Sequence, residues 1–171
     1  GGSIPGNFLP AIQKGLVDAM QAGILAHCPV QNVKVSVYDG SYHDVDSSEV
    51  AFKIAGSRAF RDAMTKAHPV LLEPVMSLTI TIPEAFLGAI NGDLTHKRGR
   101  VLGLDTVKGM HVITAEAPLA EIFKYAAELR SITAGQGSFE MAFVRYDVVP
   151  SNVAQKVIAE AAKQTTADAD E

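Results

Sequence analysis

From Val75 to Val148 the side-chain periodicity switches repeatedly between two residues and three to four. The order of those switches restricts the fold more than any other feature of the chain. Leu78, Ile80 and Ile82 alternate with Thr79 and Thr81, which predicts a strand over 75–82 with one buried face. Pro83 and Glu84 suit a helical first turn, so a helix is expected from there to about residue 97. Residues 101–107 and 111–117 read as strands joined around Lys108-Gly109, a hairpin turn. A second helix begins at Pro118-Leu119 and carries Ile122, Tyr125, Ala126 and Leu129. Gly135 and Gly137 interrupt the chain before a last strand over 138–148. The order βαββαβ is the split-βαβ, ferredoxin-like arrangement.

The preceding residues hold no such set. A turn-rich opening with three glycines and two prolines leads into a helix over 11–22, where Ile12, Leu16, Ala19 and Met20 recur at helical spacing and Gly23 marks the stop. Val33, Val35 and Val37 alternate with polar residues, a strand with one buried face. Asp46 and Glu49 form a capping-box pair at the head of a second helix over 47–67. Ala51, Ala55, Ala59, Ala63 and Ala67 step along that helix as a small-residue seam expected in the core, with Gly56 expected against a sheet. His68-Pro69 ends it. One strand and two helices cannot make a sheet, so the chain is expected to begin inside a domain or to pair with another copy. A short helix over 153–163 follows Pro150 and Asn152.

Composition narrows the class. Apolar residues at 47% and charged residues at 20% describe a globular α+β chain and exclude disordered or collagen-like sequences. No run approaches the roughly 18 apolar residues of a membrane span, and no secretory leader opens the chain. The single cysteine, Cys28, excludes an internal disulfide, suits a reducing cytoplasm and is expected to be a small buried hydrophobe. The net charge is −4, but the tail from Thr165 to Glu171 holds three acids and is expected to be solvated and mobile. Without it the charge is −1, so nucleic acid would not be gripped by bulk charge.

Motifs for catalysis are missing. There is no Gly-x-x-x-x-Gly-Lys-Ser/Thr loop for a nucleoside triphosphate, and Gly135-Gln136-Gly137 precedes a strand and reads as a turn. Zinc-ligand spacing is absent. The densest group of titratable side chains is Tyr42, His43, Asp44, Asp46 and Glu49. It admits three readings: a metal or acid/base cluster, a capped helix start beside an exposed histidine, and a recognition loop on a scaffold. His96-Lys97-Arg98-Gly99-Arg100 is the densest basic patch; it and Arg130 suit either phosphate contacts or the negative end of a helix dipole.

Several strings resemble the C-terminal part of elongation factor G, the bacterial translocation GTPase. They begin with Gly2-Ser3-Ile4-Pro5, Phe8-Leu9-Pro10-Ala11 and Lys14-Gly15. More specific are the twelve residues Tyr38-Asp39-Gly40-Ser41-Tyr42-His43-Asp44-Val45-Asp46-Ser47-Ser48-Glu49, continuing as Ala51-Phe52-Lys53-Ile54-Ala55-Gly56-Ser57. Leu71-Leu72-Glu73-Pro74, Gly92-Asp93-Leu94, Arg98-Gly99, Pro118-Leu119-Ala120-Glu121 and Leu129-Arg130-Ser131 extend the likeness to about residue 160. The resemblance implies that residues 1–69 are the end of domain IV, with a left-handed βαβ crossover. It makes 70–149 the ferredoxin-like domain V and 150–171 a helix and acidic tail.

It also implies a role. Domain IV of the family enters the ribosomal A site as the tRNA–mRNA pair moves. The matching tip residues are Ser41, Tyr42, His43, Asp44 and Val45, with Ser3, Ile4, Pro5, Gly6 and Asn7 from the neighbouring loop. His43 would be the principal contact to RNA. Gly6, where relatives often carry a charge, departs from the pattern and weakens an electrostatic account of that loop. Domain V would meet the large-subunit GTPase centre through Lys97, Arg98 and Arg130. No residue here would be catalytic or bind metal, and GTP and Mg would belong to domains upstream in a longer parent. The expected partner is the ribosome, with no membrane, and the chain itself a monomer or an edge-strand dimer. Alternatives are a ribosome-recycling paralogue, a ribosomal protection protein, a ferredoxin-like module for small ligands, and a metal-dependent hydrolase using His43, Asp44 and Asp46.

Overall fold

The computed structural model describes residues 3–169. Asp170 and Glu171, the end of the expected acidic tail, and Gly2 of the first matching string lie outside the described residues. The chain divides into two compact units: one runs to Leu71 and resumes at Pro150, the other is Leu72–Val149.

In the first unit, Pro5 leads into a single 3-10 turn, Gly6–Phe8, and then α1, Leu9–Ala22. Its N–H groups need no partner at the first turn, where Pro10 sits without loss. Helix α2 is Glu49–Lys66. Its cap is Ser48, whose Oγ accepts from the Ala51 N–H at 3.1 Å, in place of the expected Asp46. Asp46 instead belongs to a turn closed between His43 and Ser47. The buried faces of the pair are Ile12, Gly15 and Ala19 on α1 and Phe52, Gly56 and Phe60 on α2. A methyl group at Gly15 would collide with the Lys53 carbonyl, so the helices meet at backbone distance. Gly56 therefore faces Ile12 of a helix, where a sheet was expected.

The alanine seam is corrected as well. Ala51, Ala55, Ala59, Ala63 and Ala67 are exposed, one residue around the helix from the buried Phe52-Gly56-Phe60 face. Residues 33–41 are assigned to no strand among the described residues, so the expected strand over 33–38 is not formed there. Val33, Val35 and Val37, together with Ala55, Ala59 and Ala63, line an apolar groove of about 800 Å³. Cys28 is exposed rather than buried, its Sγ 3.6 Å from the Ala26 carbonyl in the turn after α1.

The second unit carries the expected order. Strands β1 (Leu72–Pro83), β2 (Arg100–Val107), β3 (Met110–Pro118) and β4 (Ser138–Val148) form one sheet in the order β2-β3-β1-β4, every neighbour antiparallel. Helix α3 is Leu87–His96, preceded by a 3-10 turn at Glu84–Phe86. The helix expected after Pro118 is broken into α4, Leu119–Ile122, and α5, Tyr125–Ile132. Leu78, Ile80 and Ile82 of β1 and Ile113, Ala115 and Ala117 of β3 face Ile90, Leu94, Ile122, Tyr125 and Leu129 of the helices. Tyr125 meets Phe139 edge-on, ring centroids 5.1 Å apart. Helix α6, Ser151–Ala169, extends past its expected end because no helix breaker follows Lys163. No helix among the described residues is long and apolar enough to cross a membrane.

Candidate functional site

Two loops of the first unit converge before α1 and α2. Ser3 Oγ donates to Asp39 Oδ1 at 3.4 Å, and the same oxygen accepts from the Gly40 N–H at 2.8 Å. Gly40 lies so close to Ile4 that a methyl group there would run into the Ile4 side chain. Phe8 stacks on Phe52 of α2 at 4.6 Å between centroids and faces Tyr42 at 5.8 Å. The structure thus brings together the two segments named from sequence, Ile4–Asn7 and Ser41–Val45. It adds Phe8, Asp39 and Ser47, which sequence reading missed. Ser47 stands one helical turn after His43, and that spacing was the available signal.

The second loop is closed on itself around its histidine. The His43 N–H donates to Ser47 Oγ at 3.0 Å, and the Ser47 N–H returns to the His43 carbonyl at 3.1 Å. The Asp44 carboxylate beside the Tyr42 hydroxyl holds the phenol above its ordinary pKa. Residues 41–46 are all exposed, Val45 to 93%. Among the described residues the His43 ring has no hydrogen-bond or ion-pair partner, so donor, acceptor and π-face are all presented outward. Gly6 and Asn7 are exposed beside half-buried Ile4 and Pro5. Asp44 lies beside the Tyr42 hydroxyl, and Glu49 opens α2. No three His, Cys, Asp or Glu side chains among the described residues could hold a metal ion.

The cations of the second unit divide into two kinds. Lys97 closes α3 and pairs with Glu128 at 2.9 Å and Asp93 at 3.3 Å; the hydrogen bond to Glu128 raises its pKa. Arg98 gives two nitrogens to Glu73, at 2.7 and 2.8 Å, and its Nε to Glu121 at 2.8 Å. Chiefly through Glu73, its pKa is raised as well. Both side chains are held by carboxylates of their own unit. Arg130, in the last turn of α5, is exposed and has no such partner among the described residues.

These features define a class: an α+β chain in which a split-βαβ domain is joined in sequence to a helix pair presenting a histidine loop. Two family models cover it. Elongation factor G, domain IV, matches residues 1–68, and Elongation factor G C-terminus matches residues 70–157. The chain is 51% identical over 160 residues to elongation factor G of Aquifex pyrophilus, spanning 94% of this chain and 23% of that relative. A crystal structure from Thermus thermophilus superposes with a TM-score of 0.79 at 43% identity, covering 95% of this chain and 25% of that one. The chain belongs to the elongation factor G family.

Proposed function

We propose that this chain supplies the RNA-contacting C-terminal part of a translation elongation factor that moves tRNA and mRNA through the cytoplasmic bacterial ribosome. The single observation that carries the proposal is His43, an imidazole without a hydrogen-bond or ion-pair partner among the described residues, on an exposed loop whose backbone Ser47 holds at the histidine. Such a group offers a hydrogen bond and a stacking face to an RNA base without losing a contact of its own. Ser41, Tyr42, Val45, Gly6 and Asn7 form its surround in the A site. Arg130 is the domain V contact to large-subunit RNA, while Lys97 ties the end of α3 to α5 and Arg98 ties it to β1 and α4. The contribution is positional, and no bond is made or broken by these residues.

GTP and Mg would be held by other parts of the longer protein. Neither fits the residues present, which include no phosphate loop and, among those described, no cluster of metal-ligating side chains. A photo-crosslinking amino acid at position 43 or 130, in a full-length factor ending in this chain, tests the reading. Adducts from 43 to small-subunit RNA and from 130 to large-subunit RNA are expected. RNA adducts from neither position, with GTP hydrolysis on ribosomes intact, would reject it.

A further inference from the structure

The histidine loop stands on a column of three aromatic rings. Phe52, 8% exposed, anchors the column in the buried face of α2. Phe8 stacks on it with ring planes 28° apart, and Tyr42 follows at 36° to Phe8. Tyr42 is the residue immediately before His43. The residue before the histidine is therefore tied, through its ring, to Phe8. Ser47 fixes the histidine's backbone at both its N–H and its carbonyl. Residues 41–46 bury no side chain of their own, so the loop's rigidity rests on these ties. A recognition group works best when held in place beforehand.

We propose that Phe8 is a positioning residue: through Tyr42 it sets where the His43 imidazole projects, and so how well the loop engages RNA. The proposal rests on the function proposed above. Phe8 belongs to the neighbouring loop, so the column also couples the two tip segments. Its ring is needed as a ring: leucine would fill part of the volume without offering a face to Tyr42 and Phe52.

The test uses a full-length factor ending in this chain, with Phe8→Leu, Phe8→Tyr and Tyr42→Leu, each alone and with His43→Ala. The readouts are the single-round rate of mRNA movement, ribosome-stimulated GTP hydrolysis, and the thermal melt of each variant. Phe8→Leu is expected to slow movement about 2- to 10-fold relative to hydrolysis, as loss of an aromatic pair implies. Phe8→Tyr should keep the wild-type rate. Tyr42→Leu, at a half-exposed ring that costs the fold little, should match Phe8→Leu. In the His43→Ala background neither leucine variant should slow movement further. Full additivity with His43→Ala, or normal movement in both leucine variants while His43→Ala is slow, overturns the proposal alone. Normal movement in His43→Ala overturns the functional reading, and this proposal falls with it.

Discussion

Arg98 adopts a left-handed backbone conformation, φ 55°, at the end of α3, and from there its guanidinium reaches two carboxylates. Glu73, only 9% exposed, receives both terminal nitrogens in a bidentate pair. Arg98→Ala would strand that carboxylate, at a cost of about 2–3 kcal/mol for a pair not wholly buried. Arg98→Lys should fall between, because an ammonium cannot present a planar fork. Urea unfolding of the three proteins checks the ranking; equal stability of all three would show the pair to be incidental. From sequence, Arg98 stood as a candidate for RNA or for a helix end, and its carboxylate partners, distant in the chain, were not legible there. The cap of α2 was ambiguous for a local reason. Asp46, Ser47 and Ser48 all have capping side chains, and Ser48 takes the role because Ser47 is bound to His43.

The elements of the two units differ in how far sequence specified them. The βαββαβ order was legible because each strand has its antiparallel neighbour within the same unit, and β4 occupies the expected 138–148. Residues 33–38 have the same alternation, yet alternation reports only a face and says nothing about whether a neighbouring strand exists. In this chain alone, amides of 33–38 should exchange with solvent near unprotected rates, while those of 78–82 stay protected. Hydrogen exchange read by NMR decides this, and strong protection at Val35 and Val37 would reveal a partner strand. Across the sheet, Glu116 of β3 binds Arg145 of β4 at 3.0 Å and Arg100 of β2 at 3.3 Å. The hydrogen bond from Arg145 is the main cause of its lowered pKa. The stabilisation is therefore complete above the ordinary value of 4.5 and is lost as pH falls through the lowered value. Glu116→Gln should flatten the acid side of the stability–pH curve; an unchanged slope below pH 4.5 would contradict the pairing.

Across the whole molecule, a net charge of −4 leaves little general attraction for RNA, so engagement must come from a few placed groups. In the proposed function the tip provides them. Its residues were legible as a string resembling a known family, whereas the contacts that make the string a site join Phe8, Asp39 and Phe52 from separate parts of the chain. The groove beside Val33, Val35 and Val37 was invisible in sequence for the same reason, since it depends on which face of α2 turns inward. His43 is proposed to act on movement of the tRNA–mRNA pair and not on nucleotide chemistry. The most direct test is His43→Ala in a full-length factor ending in this chain, comparing single-round mRNA movement with ribosome-stimulated GTP hydrolysis. Loss of a stacked or hydrogen-bonded contact predicts movement slowed by about 10-fold or more with hydrolysis largely intact. Equal loss of both activities, or loss of neither, would contradict the account.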